Sequence, residues 1–217
     1  LGIAALSFET MTVRNLELVS ERPDGSRPKL EMCEPCMEDG QELEKLVKEC
    51  HPLEDNSIYA YLLLCTHFHK TCIVAKHHDQ IVGFVSAYIK PEQRNTLFIW
   101  QVAVKGDWRK HGLALKMIRH LLKRPYLRDL KYIEATVTAS NRASKNLFMS
   151  IAKTYETRCE TQVVFSKELF DGNAHEDEYL FRIGPIKLTE SEYEFDDFRS
   201  IGIPGSPLRT FFPYNIF

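Results

Sequence analysis

Residues 97–114 read LFIWQVAVKGDWRKHGLA, and this stretch decides the fold. Its first half, Leu97–Val104, mixes aromatic and β-branched residues between polar turns, which predicts a strand buried on both faces. From about Gly112 onward, Leu113, Leu115, Met117, Ile118, Leu121 and Leu122 recur at helical spacing. The link is Arg109-Lys110-His111-Gly112-Leu113-Ala114. A strand, a glycine turn and a helix start together leave backbone N–H groups unpaired at the positive end of a dipole, an arrangement that binds pyrophosphate. Gly112 and Ala114 are small enough to let an anion reach the amides of His111–Ala114, and Arg109 and Lys110 put charge at the rim. The run is neither a dinucleotide G-x-G-x-x-G nor a phosphate loop ending in G-K-[ST]. An ordinary strand–turn–helix with a capping glycine would carry the same local signals, so the rest of the chain has to decide.

Upstream, Lys29–Pro35 alternates as a first strand. A helix follows, capped by Glu38 or Asp39, with Leu43, Leu46, Val47 and Cys50 on one face, and Pro52 ends it. Ile58–Phe68 reads as a second helix, on the spacing of Tyr59, Leu62, Leu63 and Thr66. Strands Thr71–Lys76 and Ile81–Ile89 flank a four-residue connection, His77–Gln80, before the polar loop Lys90–Thr96. Downstream, Arg124-Pro125 breaks the helix and Lys131–Thr138 is a strand. Asn141–Lys153 is a helix capped by Ser140 or Asn141, with Ala143, Leu147, Phe148, Ile151 and Ala152 inward. Tyr155–Ser166 and Glu178–Ile183 complete the strands. The breaker-rich residues 1–28 read as an irregular leader. Residues 187–217, acidic and then Pro/Gly-rich with an aromatic end, read as a peripheral or disordered tail. That leaves 29–186 as one α/β domain.

The 217 residues are 44% hydrophobic and 27% charged, enough for one such domain with a sizeable core. A net charge of −2 favours neither nucleic acid nor an anionic membrane. No run is long enough to span a bilayer, and Leu1–Leu6 is too short for a signal peptide, so a cytoplasmic protein with six reduced cysteines is expected. Cys33-Glu34-Pro35-Cys36 is a lone C-x-x-C without a second pair or spaced histidines, so no metal is expected.

The R-x-x-G-x-A of Arg109–Ala114 after Val102-Ala103-Val104 resembles the acetyl-CoA signature of the GNAT acetyltransferase superfamily, and the order β-α-α-β-β-β-α-β-α-β-β fits that fold. The resemblance implies a mixed, mostly antiparallel central sheet flanked by helices, with acetyl-CoA as co-substrate. It implies that the strand holding Val102 and Val104 splays from its neighbour, so that their backbone pairs with the pantetheine arm. Asn141–Phe148 resembles the later motif N-x-x-A-x-x-L-Y, with Asn141 reaching the cofactor and Ser144 at the Ala position beside it. Phe148 stands where many members carry a tyrosine that protonates the departing thiolate. A thiol pKa of about 8.5 still allows departure as thiolate.

Acetyl transfer to an amine also needs the amine neutral. At pH 7 an ammonium of pKa ~10.4 costs about 4–5 kcal/mol to deprotonate, so a carboxylate near the thioester is expected. The candidates are Asp55, whose plainer role is a helix cap, and Glu160, whose plainer role is a solvated strand face. Trp100 either packs in the core or stacks on the acceptor. Tyr59 and Tyr61 offer hydroxyls, one of which should simply pack. The eight histidines read as structural or solvated.

Four runs, Asp55–Cys65, Ile81–Tyr88, Thr96–Val104 and Thr136–Thr138 with Asn141, are similar to the L-2,4-diaminobutyrate acetyltransferases of ectoine biosynthesis, and Glu178–Pro185 resembles that family's ending. The resemblance implies acetylation of the 4-amino group of L-2,4-diaminobutyrate, a place in osmotic-stress physiology, and a homodimer with late strands near its interface. Asp55 and Glu160 would hold the two ammonium groups, and Tyr59 and Trp100 would wall the site. For the α-carboxylate, Arg158 or a backbone N–H could serve. Another small amine as acceptor, or an acyl-CoA-binding module without catalysis, remain the alternatives.

Overall fold

The structure is a computed structural model that describes residues 30–170 and 175–188. The expected leader, and the expected tail from residue 189 on, lie outside the described residues. In chain order the elements are β1 (Leu30–Cys33), α1 (Gly40–Lys48), α2 (Ile58–His67), β2 (Ile73–His77), β3 (Gln80–Lys90), β4 (Gln93–Val104), α3 (Leu113–Leu122), β5 (Tyr132–Thr138), α4 (Arg142–Thr154), β6 (Cys159–Phe165) and β7 (Glu178–Ile183). The order is the expected one. The strands form one seven-stranded sheet, β1-β2-β3-β4-β5-β7-β6, in which β4 and β5 run parallel and every other pair is antiparallel.

Two apolar layers cover this sheet. On one face α3 and α4 pack Met117, Ile118, Leu121, Phe148 and Ile151 against Leu97, Ile99, Ile133, Ala135 and Phe181. Removing one such side chain costs about 2–5 kcal/mol. The helix α3 can sit this close because β3 carries Gly83, where an added Cβ would come within 2.8 Å of the Met117 side chain. On the other face α1 and α2 pack Leu43, Val47, Tyr61 and Leu64 against Val74, Phe84 and Ala103. This second layer takes no residue from β5, β6 or β7. Strand alternation turns Glu134, Thr136, Glu178 and Arg182 toward that unfilled side, since Ile133, Ala135, Phe181 and Ile183 belong to the first layer.

Several boundaries differ from the sequence reading. The hairpin between β2 and β3 turns on His78 and Asp79 alone, both with positive φ (50° and 64°), as a two-residue turn matched to strand twist requires. β4 begins at Gln93 rather than Leu97, because backbone pairing with β3 carries polar residues into the ladder. It is not buried on both faces throughout: Trp100 is exposed, and Val102 and Val104 are only half-buried. β6 starts at Cys159, not Tyr155. In α2 the buried residues are Tyr61, Leu64 and Cys65 rather than the Tyr59 stripe, and Ala143 of α4 is exposed. Asp39 does not cap α1 with its side chain. It instead accepts the Cys36 N–H at 3.0 Å and pairs with Lys76 at 2.6 Å, joining the β1–α1 connection to β2.

Candidate functional site

The ladder between β4 and β5 is short. Thr96, Leu97 and Phe98 pair with Tyr132, Ile133 and Glu134, and beyond them the strands part. From Ile99 to Val104 the side of β4 that faced β5 has no strand partner among the described residues, while its other side stays paired with β3. A strand edge with free N–H and C=O groups, held rigid from behind, fits an extended amide-bearing arm. At the parting a bulge interrupts β4: Ala87 pairs with Ile99 and Ser86 with Gln101, so Trp100 is the extra residue. The bulge is fastened from both sides. The Gln101 N–H donates to Ser86 Oγ at 3.0 Å, and Gln101 Nε2 donates to the Glu54 carbonyl at 2.9 Å.

Because β4 and β5 are parallel, the helices that follow them begin at the same end of the cleft. α3 starts after Gly112, which holds φ +76° with open space where a Cβ would stand. Its first hydrogen bond, Lys116 N–H to the Gly112 carbonyl at 3.0 Å, leaves the amides of Leu113, Ala114 and Leu115 without helical partners, and no acidic residue stands in the first turn. Leu113 is buried, so only its backbone faces the turn, whereas Lys110, His111 and Gly112 are exposed. Arg109 is used differently from the expected rim charge. Its guanidinium donates to the carbonyls of Val104 (2.8 Å) and Glu49 (3.3 Å), tying the loop to β4 and to the end of α1. Asn141 stands at the start of α4, where its Oδ1 accepts the Ser144 N–H at 3.1 Å. Phe148 is buried, its ring 6.2 Å from that of Phe181, and brings no hydroxyl to the cleft.

The other mouth of the cleft is made of side chains. His175 Nε2 lies 3.5 Å from Glu54 and 3.9 Å from Glu178, and its ring stacks on Phe170 at 3.6 Å. Glu178 opens β7 opposite Thr138 of β5, on the face of the sheet that also carries Thr136. Burial pushes the Glu178 carboxyl up from its ordinary value, against the opposing pull of His175 and Thr136. Trp100 and Tyr59 are both exposed, and Tyr61 is the tyrosine that packs.

These placements differ from those expected of two carboxylates. Asp55 and the adjacent Glu54 are both exposed, and it is Glu54 whose carboxylate lies 3.5 Å from His175. Glu160 lies on β6, beyond β7, exposed and in register with Arg182. There it lines an open cleft of about 640 Å³ with Tyr132, Arg158 and Arg182. The sequence reading missed Glu54, His175 and Glu178. A His-x-x-Glu run entering a strand, with the glutamate on the face of Arg182, was the available signal. Nearby, Glu134 is almost wholly buried, accepts Lys90 Nζ at 2.7 Å and pairs with Arg182, whose guanidinium lies 3.9 Å over the Tyr132 ring. Among the described residues, no group of three or more His, Cys, Asp or Glu side chains could hold a metal ion.

Comparisons with known proteins bear on this geometry. The acetyltransferase (GNAT) family profile matches residues 40–151. An L-2,4-diaminobutyric acid acetyltransferase of Shouchella clausii is 45% identical over 160 residues, covering 74% of this chain and 89% of its own. That of Halalkalibacterium halodurans is 39% identical over 180 residues, covering 83% and 95%. Among solved structures, the diaminobutyrate acetyltransferase EctA of Paenibacillus lautus, in complex with its substrate L-2,4-diaminobutyric acid and coenzyme A, superposes with a TM-score of 0.72 at 37% identity, over 75% of this chain and 98% of that one.

Proposed function

The chain belongs to the GNAT acetyltransferase family and, within it, to the L-2,4-diaminobutyric acid acetyltransferases, and on that premise we propose how its residues perform the reaction. The enzyme transfers the acetyl group of acetyl-CoA to the 4-amino group of L-2,4-diaminobutyrate, giving N4-acetyl-L-2,4-diaminobutyrate for ectoine biosynthesis. The observation that carries the mechanism is the cluster of His175 with Glu54 and Glu178 at the mouth of the cleft, where β7 sets the Glu178 carboxylate beside β5, the strand that parts from β4.

Three tasks are distributed over the cleft. The free edge of β4 at Val102 and Val104 holds the pantetheine arm, and the loop Arg109–Ala114 with the first amides of α3 holds the pyrophosphate. Asn141 and Ser144, at the start of α4, flank the same opening. An amide at the Trp100 bulge polarises the thioester carbonyl as negative charge develops on its oxygen. Glu178 takes a proton from the incoming ammonium, and its raised pKa narrows the gap to the amine's ~10.4. Glu54 and His175 bind and orient the amino groups, and the exposed Trp100 and Tyr59 wall the site. With Phe148 in place of a hydroxyl donor, the coenzyme leaves as thiolate, and the second proton, shed by the nitrogen as the amide forms, reaches the sulfur through water.

The protein acts as a homodimer through its late strands. β6 is a sheet edge, and its Val163, Val164 and Phe165 are exposed, an apolar edge of the kind that seeks a partner. It works in the cytoplasm: its cysteines among the described residues are free thiols, and no described helix is long and apolar enough to cross a membrane.

Thiol release from acetyl-CoA, measured in parallel with L-2,4-diaminobutyrate, ornithine, lysine and putrescine, tests the reading, with mass spectrometry to locate the acetyl group. Preference for diaminobutyrate with acetylation at N4 is expected. Equal use of several amines would reduce the assignment to general amine acetylation. Absence of turnover with every amine would favour an acyl-CoA-binding module.

A further inference from the structure

We propose that Ser86 is a positioning residue for the coenzyme: its buried hydroxyl aims the Trp100 carbonyl at the pantetheine arm. The inference rests on the coenzyme reading above. Along β3 the run Ile81–Ala87 is buried throughout, and Ser86 is its one polar side chain. It is 0% exposed, and a hydroxyl so placed costs free energy unless it is bonded. Strand alternation turns it toward the layer of α1 and α2, with Phe84, because Val85 and Ala87 belong to the other layer. There its Oγ accepts the Gln101 N–H at 3.0 Å. The register shows why this bond matters. Ala87 faces Ile99 and Ser86 faces Gln101, so the peptide group between Trp100 and Gln101 belongs to the extra residue, where the regular ladder is broken. A side chain, rather than strand pairing alone, sets the orientation of that peptide.

A trans peptide is planar, so its C=O points opposite to its N–H. With the Gln101 N–H held on β3, the Trp100 carbonyl is aimed away from β3, to the side from which β5 has parted. The alternation continues to the end of the strand. The Lys105 N–H donates to the Val82 carbonyl of β3 at 2.9 Å, which leaves the backbone groups of Val102 and Val104 on the open side. The Val104 carbonyl is already taken there, by Arg109 Nε at 2.8 Å and the Cys50 thiol at 3.4 Å. That end of the edge is closed to the N–H groups of an arm, so they must find their acceptors nearer the bulge. With the pyrophosphate at the loop after β4, the arm runs back along the strand, and its amide beside the sulfur end meets the Trp100 carbonyl. Ser86 thereby fixes where the thioester stops, without touching it.

The test compares two ligands by calorimetry: coenzyme A, and 3′-phospho-ADP, which ends at the pyrophosphate and has no arm. In Ser86→Ala the affinity for coenzyme A should fall about three- to ten-fold, the size of one net hydrogen bond, while 3′-phospho-ADP binds as it does to the wild type. The kcat for acetyl transfer should fall as well, by up to about a hundred-fold, because the thioester is no longer held in place. Ser86→Cys, which offers a weaker acceptor, should lie between the two; if Ser86→Ala fails to fold, Ser86→Cys decides by the same ratio. A lower melting temperature with the ratio of the two affinities unchanged would overturn the proposal, since the hydroxyl would then serve folding alone. Equal losses on both ligands would overturn it too. A wild-type enzyme that binds coenzyme A no more tightly than 3′-phospho-ADP would sink the reading of the open edge itself, and the role of Ser86 with it.

Discussion

On the proposed coenzyme side of the cleft the groups left open are backbone, taken from one continuous run between Trp100 and Leu115. On the acceptor side they are side chains from distant segments: Glu54 before α2, Trp100 in β4, Thr136 in β5, His175 and Glu178 at the entry to β7. The first half needs only a shape, a strand that parts from its neighbour and a helix that starts after a left-handed glycine. The second needs particular atoms brought together by the sheet. Substitutions should therefore act on the two halves differently: in the coenzyme half through conformation, in the acceptor half through chemistry.

The largest expected effect is Glu178→Gln, which keeps size and removes the base. We expect kcat to fall about 10²- to 10³-fold, with KM for acetyl-CoA nearly unchanged. The pH profile sharpens the point. As the proposed base, Glu178 would work only when ionised, so wild-type kcat/KM should fall as pH drops through its carboxyl pKa, which burial holds above the ordinary value. That acid limb should vanish in Glu178→Gln. His175 pulls this pKa down, so His175→Gln should move the limb to higher pH. An acid limb that survives Glu178→Gln would assign the base to another group.

Next in size is Gly112→Val. With φ at +76°, any L side chain is strained here by about 1–2 kcal/mol, and the space around the missing Cβ is open. In the proposed coenzyme site that space takes the phosphates, so KM for acetyl-CoA should rise about ten-fold or more, while KM for diaminobutyrate stays within two-fold. A lower melting temperature with an unchanged KM for acetyl-CoA would mean that the turn serves folding alone.

This contrast also explains what was legible in the sequence. Arg109–Ala114, and the strand and helix around it, could be read because shape is set by local chemistry: a glycine at a left-handed position and apolar residues at one period. The parting of β4 and β5 was legible only through the family resemblance. The face of α2 was not legible, because Ile58–His67 is apolar nearly all round and the period carries no phase. The start of β4 at Gln93 was hidden because polar residues there join the ladder through their backbones. Of the side chains proposed for the acceptor, Trp100 and Tyr59 were named from the sequence, but Glu178 and His175 were not. Their partners Glu54 and Thr136 are far away in sequence, and only the order β5-β7-β6 puts β7 beside the cleft and β6, with Glu160, one strand too far.

Gln101 joins the two halves, since its N–H fastens the bulge to Ser86 and its Nε2 fastens the backbone of Glu54. Its Oε1 is buried without a partner among the described residues. Gln101→Leu should therefore cost little stability, because it removes an unsatisfied oxygen along with a useful donor. Its cost should appear as a several-fold loss in kcat/KM for diaminobutyrate, with KM for acetyl-CoA less affected, as Glu54 loses its fixed position. Equal effects on both substrates would mean that the bulge, rather than the Glu54 loop, depends on this side chain.

The smallest effects separate two neighbours. Glu54 and Asp55 carry the same charge one residue apart, and long-range electrostatics distinguish them little. Both are exposed, and their difference is contact: Glu54 lies 3.5 Å from His175, while Ser57, not Asp55, stands at the start of α2. An exposed carboxylate that touches no ligand contributes through a screened field, worth a few tenths of a kcal/mol. Asp55→Asn should then change kcat/KM by less than about two-fold, whereas Glu54→Gln should raise KM for diaminobutyrate several-fold. The reverse order would show that the loop before α2 turns over when the acceptor binds, exchanging the two carboxylates. The acceptor half would then share with the coenzyme half a dependence on backbone conformation, and the division between shape and chemistry would hold only for the unliganded enzyme.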